Sequence, residues 1–401
     1  VNGQVNAAIG SNLGMGQPIG NDKSIVINNS GFIKSSDFAG IATSSLVSTD
    51  SSIFPITINS TGTVIGDQRG IYVDTYKAKE SLSTINISGV VKGGTKEGIF
   101  IYTDSKINTI NINLNSGADV SATSGIAVNE VTDPTATSNT TLQMESGSKL
   151  SGSVLLGEGN DNMIVKGTAD LTASTILDGG NKSDANTKDI LGTADAKTNK
   201  LTLLGTTQSL TGSNLLNWQT VAVDNSTLTF KDDANLTTGT GTNGDGSLQG
   251  LVLTNGATVN SPMALAVSGD VNIDATSILN QSSGGSITGN LTNAGTVNWK
   301  NAAPGQTLTV TGNYVGTNGS LNLNTALGND SSATDKLVVN GDTSGSSTIK
   351  VTNAGGSGAQ TVEGIQVVQV DGNSAGTFSL ASPVQAGAYE YQLFQGGTST
   401  P

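Results

Sequence analysis

Apolar residues along this chain arrive in short alternating bursts separated by glycine and small polar residues. Ile25-Val26-Ile27-Asn28 is followed by Gly31-Phe32-Ile33 and then by Gly40-Ile41. The same three-part phrase returns as Ile56-Thr57-Ile58-Asn59, Gly62-Thr63-Val64 and Gly70-Ile71-Tyr72-Val73. A third copy reads Ile85-Asn86-Ile87, Gly89-Val90-Val91, Gly98-Ile99-Phe100-Ile101. A fourth reads Ile110-Asn111-Ile112, Gly117-Ala118-Asp119-Val120, Gly125-Ile126-Ala127-Val128. Period-two alternation of β-branched residues predicts strands, and no stretch holds a helical apolar period beyond two turns. Repeats of this length mark solenoids, propellers or arrays.

Three short strands per repeat, without an Asn-Gly or Asp-Gly hairpin turn between each pair, fit a coil better than a meander. The predicted fold is all-β: a single right-handed parallel β-helix with three-strand rungs, neighbouring coils pairing at about 4.8 Å. Fifteen or so rungs would reach roughly 70 Å at that rise. A propeller of the Trp-Asp type is the competing fold, but it wants a recurrent Trp-Asp, and this chain has only Trp218 and Trp299. The phrase loosens after residue 140, and 181–199 and 237–247 read as loops.

Composition narrows the class. There are 53 glycines among 401 residues, 12% charged and 4% aromatic residues, and no cysteine. A long cysteine-free chain suits passage through a narrow pore in the unfolded state. No segment reaches 18 consecutive apolar residues, so no membrane-spanning helix is expected. Val1 opens a polar stretch without the basic and apolar regions of a signal peptide, so such a peptide is expected to be already removed or omitted. The net charge of −13 is uneven. Residues 1–106 are neutral, with 8 basic and 8 acidic groups, and 107–401 carry the excess. An acidic body disfavours nucleic acid, whose binding depends on phosphate neutralisation.

From Ile287 to Leu393 the text becomes more specific. It runs Gly289-Asn290-Leu291-Thr292-Asn293-Ala294-Gly295-Thr296-Val297, then Leu308-Thr309-Val310-Thr311-Gly312-Asn313-Tyr314, then Gly319-Ser320-Leu321-Asn322-Leu323. Asp335-Lys336-Leu337-Val338-Val339-Asn340-Gly341, Gly364-Ile365-Gln366-Val367-Val368, Phe378-Ser379-Leu380 and Tyr389-Glu390-Tyr391-Gln392-Leu393 complete it. In this order the phrases resemble the C-terminal autochaperone region of pertactin-like and self-associating autotransporters (type V secretion). The resemblance implies a β-helix body over 1–290 and an autochaperone cap over 291–401 that nucleates folding of the emerging passenger. It also implies a passenger without its C-terminal membrane barrel, exported through the periplasm to the bacterial cell surface. A solenoid end exposes unpaired strand edges, and Phe378, Tyr389, Tyr391 and Phe394 would suit covering them.

Candidate chemistry is sparse. Histidine is absent, which removes His-based triads, His-ligated zinc and most general-base schemes. Paired carboxylates could serve a polysaccharide lyase or hydrolase, but Asp232-Asp233, or Asp74 with Asp104, read equally as turn acids. Gly157-Glu158-Gly159-Asn160-Asp161 and Asp178-Gly179-Gly180-Asn181-Lys182-Ser183-Asp184 resemble halves of a calcium nonapeptide repeat. Two imperfect copies, one interrupted by Lys182, fall short of the oxygens that calcium requires. No catalytic residue, metal ligand or cofactor is therefore assigned. The remaining cluster mixes aromatics with cations. Alternation turns Tyr72, Phe100 and Tyr102 outward, and puts Tyr72 on Phe100 one rung later. Arg69, Lys77, Lys79 and Lys96 lie nearby in sequence. Such a face suits an anionic glycan or an extracellular-matrix protein, by ring stacking and charge, although aromatic rungs can also merely stabilise a sheet. The expectation is a non-enzymatic surface adhesin that binds host matrix or, through polar ladders, itself. An acidic-groove glycan-cleaving enzyme and a purely structural presenter are the competing classes.

Overall fold

The computed structural model describes residues 25–44, 53–75, 80–103, 107–133, 137–180, 198–300 and 303–396, with the short strands Gln4–Val5 and Ile9–Asn12. Among the described residues, helix is confined to the single 3-10 turn Gly212–Asn214. The strands form long parallel ladders, and the fold is a parallel β-helix. It divides into two compact units, 1–208 with 214–219, and 209–213 with 220–401. Lys77, Lys79, Asp104 and Asp184, and most of the expected loop 181–199, lie outside the described residues. The expected loop at 237–247 is present beyond Thr237, closed by the Asn243 amide donating to Ser247 O at 2.7 Å.

In the first unit, Ile25–Asn29, Ile53–Ser60, Glu80–Ile87, Ile107–Leu114, Thr137–Met144, Asn162–Lys166 and Lys200–Leu204 follow one another in parallel register. Alternation places Ile27, Ile58, Ile85, Ile112, Leu142, Met163 and Leu201 in one inward column, all buried. Each such side chain contributes roughly 1.5–3 kcal/mol of burial. Phe32–Lys34, Thr63–Ile65 and Val90–Gly93 build the second ladder, and Ala39–Ser44, Arg69–Asp74 and Ile99–Thr103 the third. The strand Asp119–Thr132 continues both ladders.

Two of the repeated phrases sit two residues away from their apparent alignment. Ile85 stacks on Ile58, with Ser83 opposite Ile56, and Ile99 stacks on Val128 rather than on Ile126. Because the strand period is two, a shift of two leaves every inward residue inward. The Gly-Ile phrase itself has a packing cause. Gly70 lies against the next coil, where a Cβ would meet Gly98 O and Val91 Cγ1, each at 2.6 Å. Gly40 is likewise closed by Val64 Cγ1 at 2.6 Å. In the fourth copy the buried Ala127 takes the place of Gly98, and Gly125 stands exposed within the strand, at a φ of +82° beside an irregularity in its pairing.

One corner of this unit is polar. Glu130 is buried and accepts from Thr140 Oγ1 at 2.5 Å and from Thr132 Oγ1 at 3.4 Å. Burial raises its pKa, against the hydrogen bonds from Ser138, Thr140, Gly157 and Thr132 that favour its charge. Asp161, also buried, accepts the Thr140 amide at 2.6 Å, and its own amide donates to Asn199 Oδ1 at 2.8 Å. Among the described residues no group of three or more acids is placed to hold a metal ion. The text at Gly157–Asp161 forms a hydrogen-bonded bracket between coils, with Glu158 N donating to Thr132 Oγ1 at 3.1 Å and Asn160 N to Asn139 Oδ1 at 3.0 Å.

The second unit repeats the plan with shorter coils. Thr220–Asp224, Gly250–Thr254, Val271–Ile273, Leu291–Asn293, Tyr314–Thr325 and Thr343–Asn353 stack in parallel. Their turns carry a Gly-Asx ladder. Asn290 N donates to Asp270 Oδ1, Asn313 N to Asn290 Oδ1, Asp342 N to Asn313 Oδ1 and Asn373 N to Asp342 Oδ1, at 2.7–2.8 Å. The preceding glycines also touch: a Cβ on Gly312 would meet Gly289 O at 2.5 Å and Asn290 Oδ1 at 2.7 Å.

Beyond the last coil, Val384–Ala386 and Tyr389–Tyr391 form an antiparallel hairpin. It closes a small core of Leu327, Val384 and Ala386, against which Tyr391 packs. The Tyr391 hydroxyl donates to Gly328 O at 2.9 Å and accepts from Ala359 N at 3.0 Å. Phe378 stacks instead on the buried Tyr314, at 5.9 Å between ring centroids. Tyr389 and Phe394 face outward, 44% and 80% exposed, so the four aromatics do not form one cluster.

Two outcomes follow. Gly312→Ala should lose about 1–3 kcal/mol in urea unfolding, since the new methyl meets backbone on the adjacent coil. Gly244→Ala, where a Cβ meets nothing within 4 Å, should stay within about 0.5 kcal/mol. Glu130→Gln should become more favourable relative to the parent as pH rises from 4 to neutrality. A raised carboxyl pKa gives stability that is present below the ordinary glutamate range and lost as pH rises through the folded value.

Candidate ligand face

The third-strand ladder of the first unit carries the aromatic cluster. Ala42, Tyr72, Phe100 and Asn129 occupy one outward column on four consecutive coils. Inward neighbours Ile71, Val73, Ile99 and Ile101 are fully buried, which fixes the direction of the rings. Tyr72 and Phe100 stack with centroids 5.6 Å apart and planes 7° from parallel. Phe38, on the coil below, meets Tyr72 edge-on at 5.4 Å and 63°. Phe38 is held by its own carbonyl, which accepts from Gln68 N at 2.8 Å and Arg69 N at 3.1 Å.

Arg69 lies across all three rings. Its guanidinium carbon is 4.2 Å from the Phe100 centroid, 5.5 Å from Tyr72 and 5.7 Å from Phe38. Its Nε donates to Glu97 Oε2 at 2.7 Å, and Asn129 Nδ2 donates to Glu97 Oε1 at 3.2 Å. The two charged side chains are only 12% and 10% exposed. The Arg69 charge is therefore matched within the protein, and its flat face serves as a plate that holds the rings in line. The Tyr72 hydroxyl donates to Asp74 Oδ2 at 3.2 Å. Burial first, and the Asp74 carboxylate second, push its pKa up to about 12.

The structure thus brings Arg69, Tyr72 and Phe100 together. Tyr102 stands two positions further along the same strand face, half-buried, opposite Asp74. Lys96 is exposed in the turn before Gly98, its amide donating to Gln68 O at 2.9 Å. Exposed Lys34 and Lys92 flank Ile65 in one outward column of the second ladder. Lys77 and Lys79 are outside the described residues. Sequence reasoning missed Phe38, Glu97 and Asn129. Glu97 had a signal: Arg69 and Glu97 each immediately precede a Gly-Ile pair, opposite charges at equivalent positions of successive coils.

Comparison with known proteins places a second part of the chain. Residues 286–393 match the family model described as Autochaperone Domain Type 1. The chain carries the autochaperone domain of an autotransporter passenger. This passenger is 52% identical over 113 residues to the uncharacterized protein YuaQ of Escherichia coli strain K12, covering 28% of this chain and 8% of that protein. It is 52% identical over 102 residues to the adhesin BmaC autotransporter of Brucella suis biovar 1 strain 1330, 23% of this chain and 3% of the other. It is 52% identical over 96 residues to the autotransporter adhesin AIDA-I of Escherichia coli, 24% and 7%. The matched stretch is thus under a tenth of the length of each of these relatives.

Two measurements check the ring assembly. Arg69→Met should cost about 2 kcal/mol or more in chemical unfolding, because it leaves the Glu97 charge largely buried without its counter-ion. In an ultraviolet titration the parent minus Tyr72→Phe difference should show a phenol ionising near pH 12. Stability linked to Tyr72 is then full below pH 10 and lost as pH rises toward 12.

Proposed function

We propose that the passenger is a non-enzymatic adhesin displayed at or released from the bacterial outer membrane, and that its aromatic ladder binds an anionic glycan of host matrix. The single observation that carries the reading is the outward Tyr72–Phe100 stack, with Phe38 edge-on against it and Arg69 across the rings. Ring faces suit the apolar faces of sugar rings, and a stack fixed in advance loses little entropy on binding. The exposed amines of Lys34, Lys92 and Lys96 supply the charge that the matched Arg69 does not. The names of two relatives, BmaC and AIDA-I, describe adhesins and support the class. The absence of histidine and cysteine from the sequence removes hydrolysis by His- or Cys-based machinery, which leaves a carboxylate-based glycan-cleaving enzyme as the alternative.

Binding of the full chain to immobilised heparin and hyaluronan tests this. Replacing Lys34, Lys92 and Lys96 together with Gln should weaken binding roughly tenfold or more, since each exposed charge contributes about 0.5–1 kcal/mol. Binding should fall with salt for the parent. Phe38→Ser with Phe100→Ser should weaken it even at high salt, where stacking remains. Binding indifferent to both sets of changes would overturn the proposal, and release of glycan fragments would favour the enzyme instead.

A further inference from the structure

A second kind of surface recurs in both units. In the first, the outward column Asn28, Asn59, Asn86 and Asn113 is a continuous amide ladder, each Nδ2 donating to the previous Oδ1 at 2.7–2.8 Å. In the second, Asn260, Asn280, Asn298 and Asn322 do the same at 2.6–2.8 Å. Two residues before each ladder position stands another outward column. It holds Val26, Thr57, Thr84 and Asn111 in the first unit, and Thr258, Ile278, Thr296 and Ser320 in the second. Thr-x-Asn thus stands on two coils of each unit, neighbouring coils in the first and the coils on either side of Ile278 in the second.

The amide ladder alone has a sufficient structural cause, because stacked amides satisfy one another. The threonine columns do not. The hydroxyls of Thr57, Thr84, Thr258 and Thr296 are half-exposed and make no hydrogen bond to other described residues. An amide has two N–H donors and two acceptor sites, so a middle member of the ladder keeps one of each for solvent or a ligand. Each face is thus an unbroken amide column beside a column of hydroxyls and one amide interrupted by Val26 or Ile278, uncharged throughout, at the strand spacing of about 4.8 Å. No charged side chain interrupts either lattice between Val26 and Gln143, or between Thr227 and Asn322.

We propose that these Thr-x-Asn faces bind an extended, uncharged polysaccharide lying along the columns. Apart from Val26 and Ile278, every group on the face can donate or accept, as every sugar hydroxyl can, and successive sugars present hydroxyls at regular intervals. A polyanion finds no cation there. A second copy is disfavoured by charge, since residues 209–401 hold 4 basic and 12 acidic groups, a net of −8. The surface is separate from the aromatic ladder and does not depend on its reading.

The test is affinity electrophoresis of the full chain in gels containing laminarin, hydroxyethylcellulose, dextran or mannan. Retardation by at least one is expected, and it should persist at about 0.5 M salt, because salt screens interactions between charges and these columns carry none. Replacing Thr57, Thr84, Thr258 and Thr296 by Val preserves shape and β-branching but removes the hydroxyls. It should weaken retardation by about tenfold or more, from neutral hydrogen bonds of about 1 kcal/mol each. The four Thr→Ser changes keep the hydroxyls and should retain binding, which separates recognition from misfolding. No retardation by any of the four glycans, or retardation unchanged by Val, would overturn the proposal. So would concentration-dependent self-association in sedimentation that the Val changes abolish, which would assign the face to a second copy.

Discussion

Parallel pairing between successive coils is the constraint on which the rest of this structure depends. Backbone amides and carbonyls bond to the coil above and below, so each side chain sits about 4.8 Å from its counterpart on the next coil. Whatever occupies a position must tolerate a near copy of itself. Aliphatic residues do so inside, where Ile27, Ile58, Ile85 and Ile112 form one buried column. Asparagines do so outside, because an amide donates and accepts at once. Like charges do not, and Arg69 is followed by Glu97 at the equivalent place. Glycine appears where one coil's backbone passes too close to another's for a Cβ, as at Gly70 and Gly312.

This explains which features were legible in the sequence. The inward residues could be read from alternation alone, and so could the outward Tyr72–Phe100 stack, because parity survives a shift of two. Register could not be read so well. Ile85 looks equivalent to Ile56 in the text, yet stacks on Ile58, since only the turn lengths distinguish the two alignments. The ring assembly was half legible. Phe38 belongs to the turn before its strand, where no alternation governs direction, and Arg69 looked like a free cation until Glu97 was found 2.7 Å away. The buried Glu130 carried no pattern, and the calcium-like phrase around Asp161 did not disclose that this acid is buried and bonded to Thr140 and Asn199 on neighbouring coils. The autochaperone text was the reverse case, specific enough to be identified by its order of phrases.

The division between inward and outward columns also separates stability from recognition. Inward positions are confined to a few residue types by packing. Outward positions are limited only by what can be stacked, so they are free to carry chemistry. The first unit uses that freedom for a rigid aromatic face, and both units use it for uncharged columns of stacked asparagines flanked by threonines. Rigidity is common to all of them, since a side chain held between two copies of itself has little freedom left to lose on binding. The C-terminal hairpin, fastened through the Tyr391 hydroxyl to Gly328 and Ala359, ends the stack with the one antiparallel ladder among the described strands.

The register itself can be measured directly, and the absence of cysteine makes the measurement clean. Thr57→Cys with Thr84→Cys places two thiols on directly opposed outward positions of neighbouring coils. At the parallel strand spacing their Cα atoms fall within the range a disulfide spans. Thr57→Cys with Asn86→Cys offsets the second thiol by two residues, to the roughly 7–8 Å diagonal that a disulfide does not bridge without backbone movement. Under mild oxidation the account predicts rapid intramolecular cross-linking of the 57/84 pair and little of the 57/86 pair. Preferential cross-linking of 57/86, or of neither, would contradict the stacked register from which every surface described above is built.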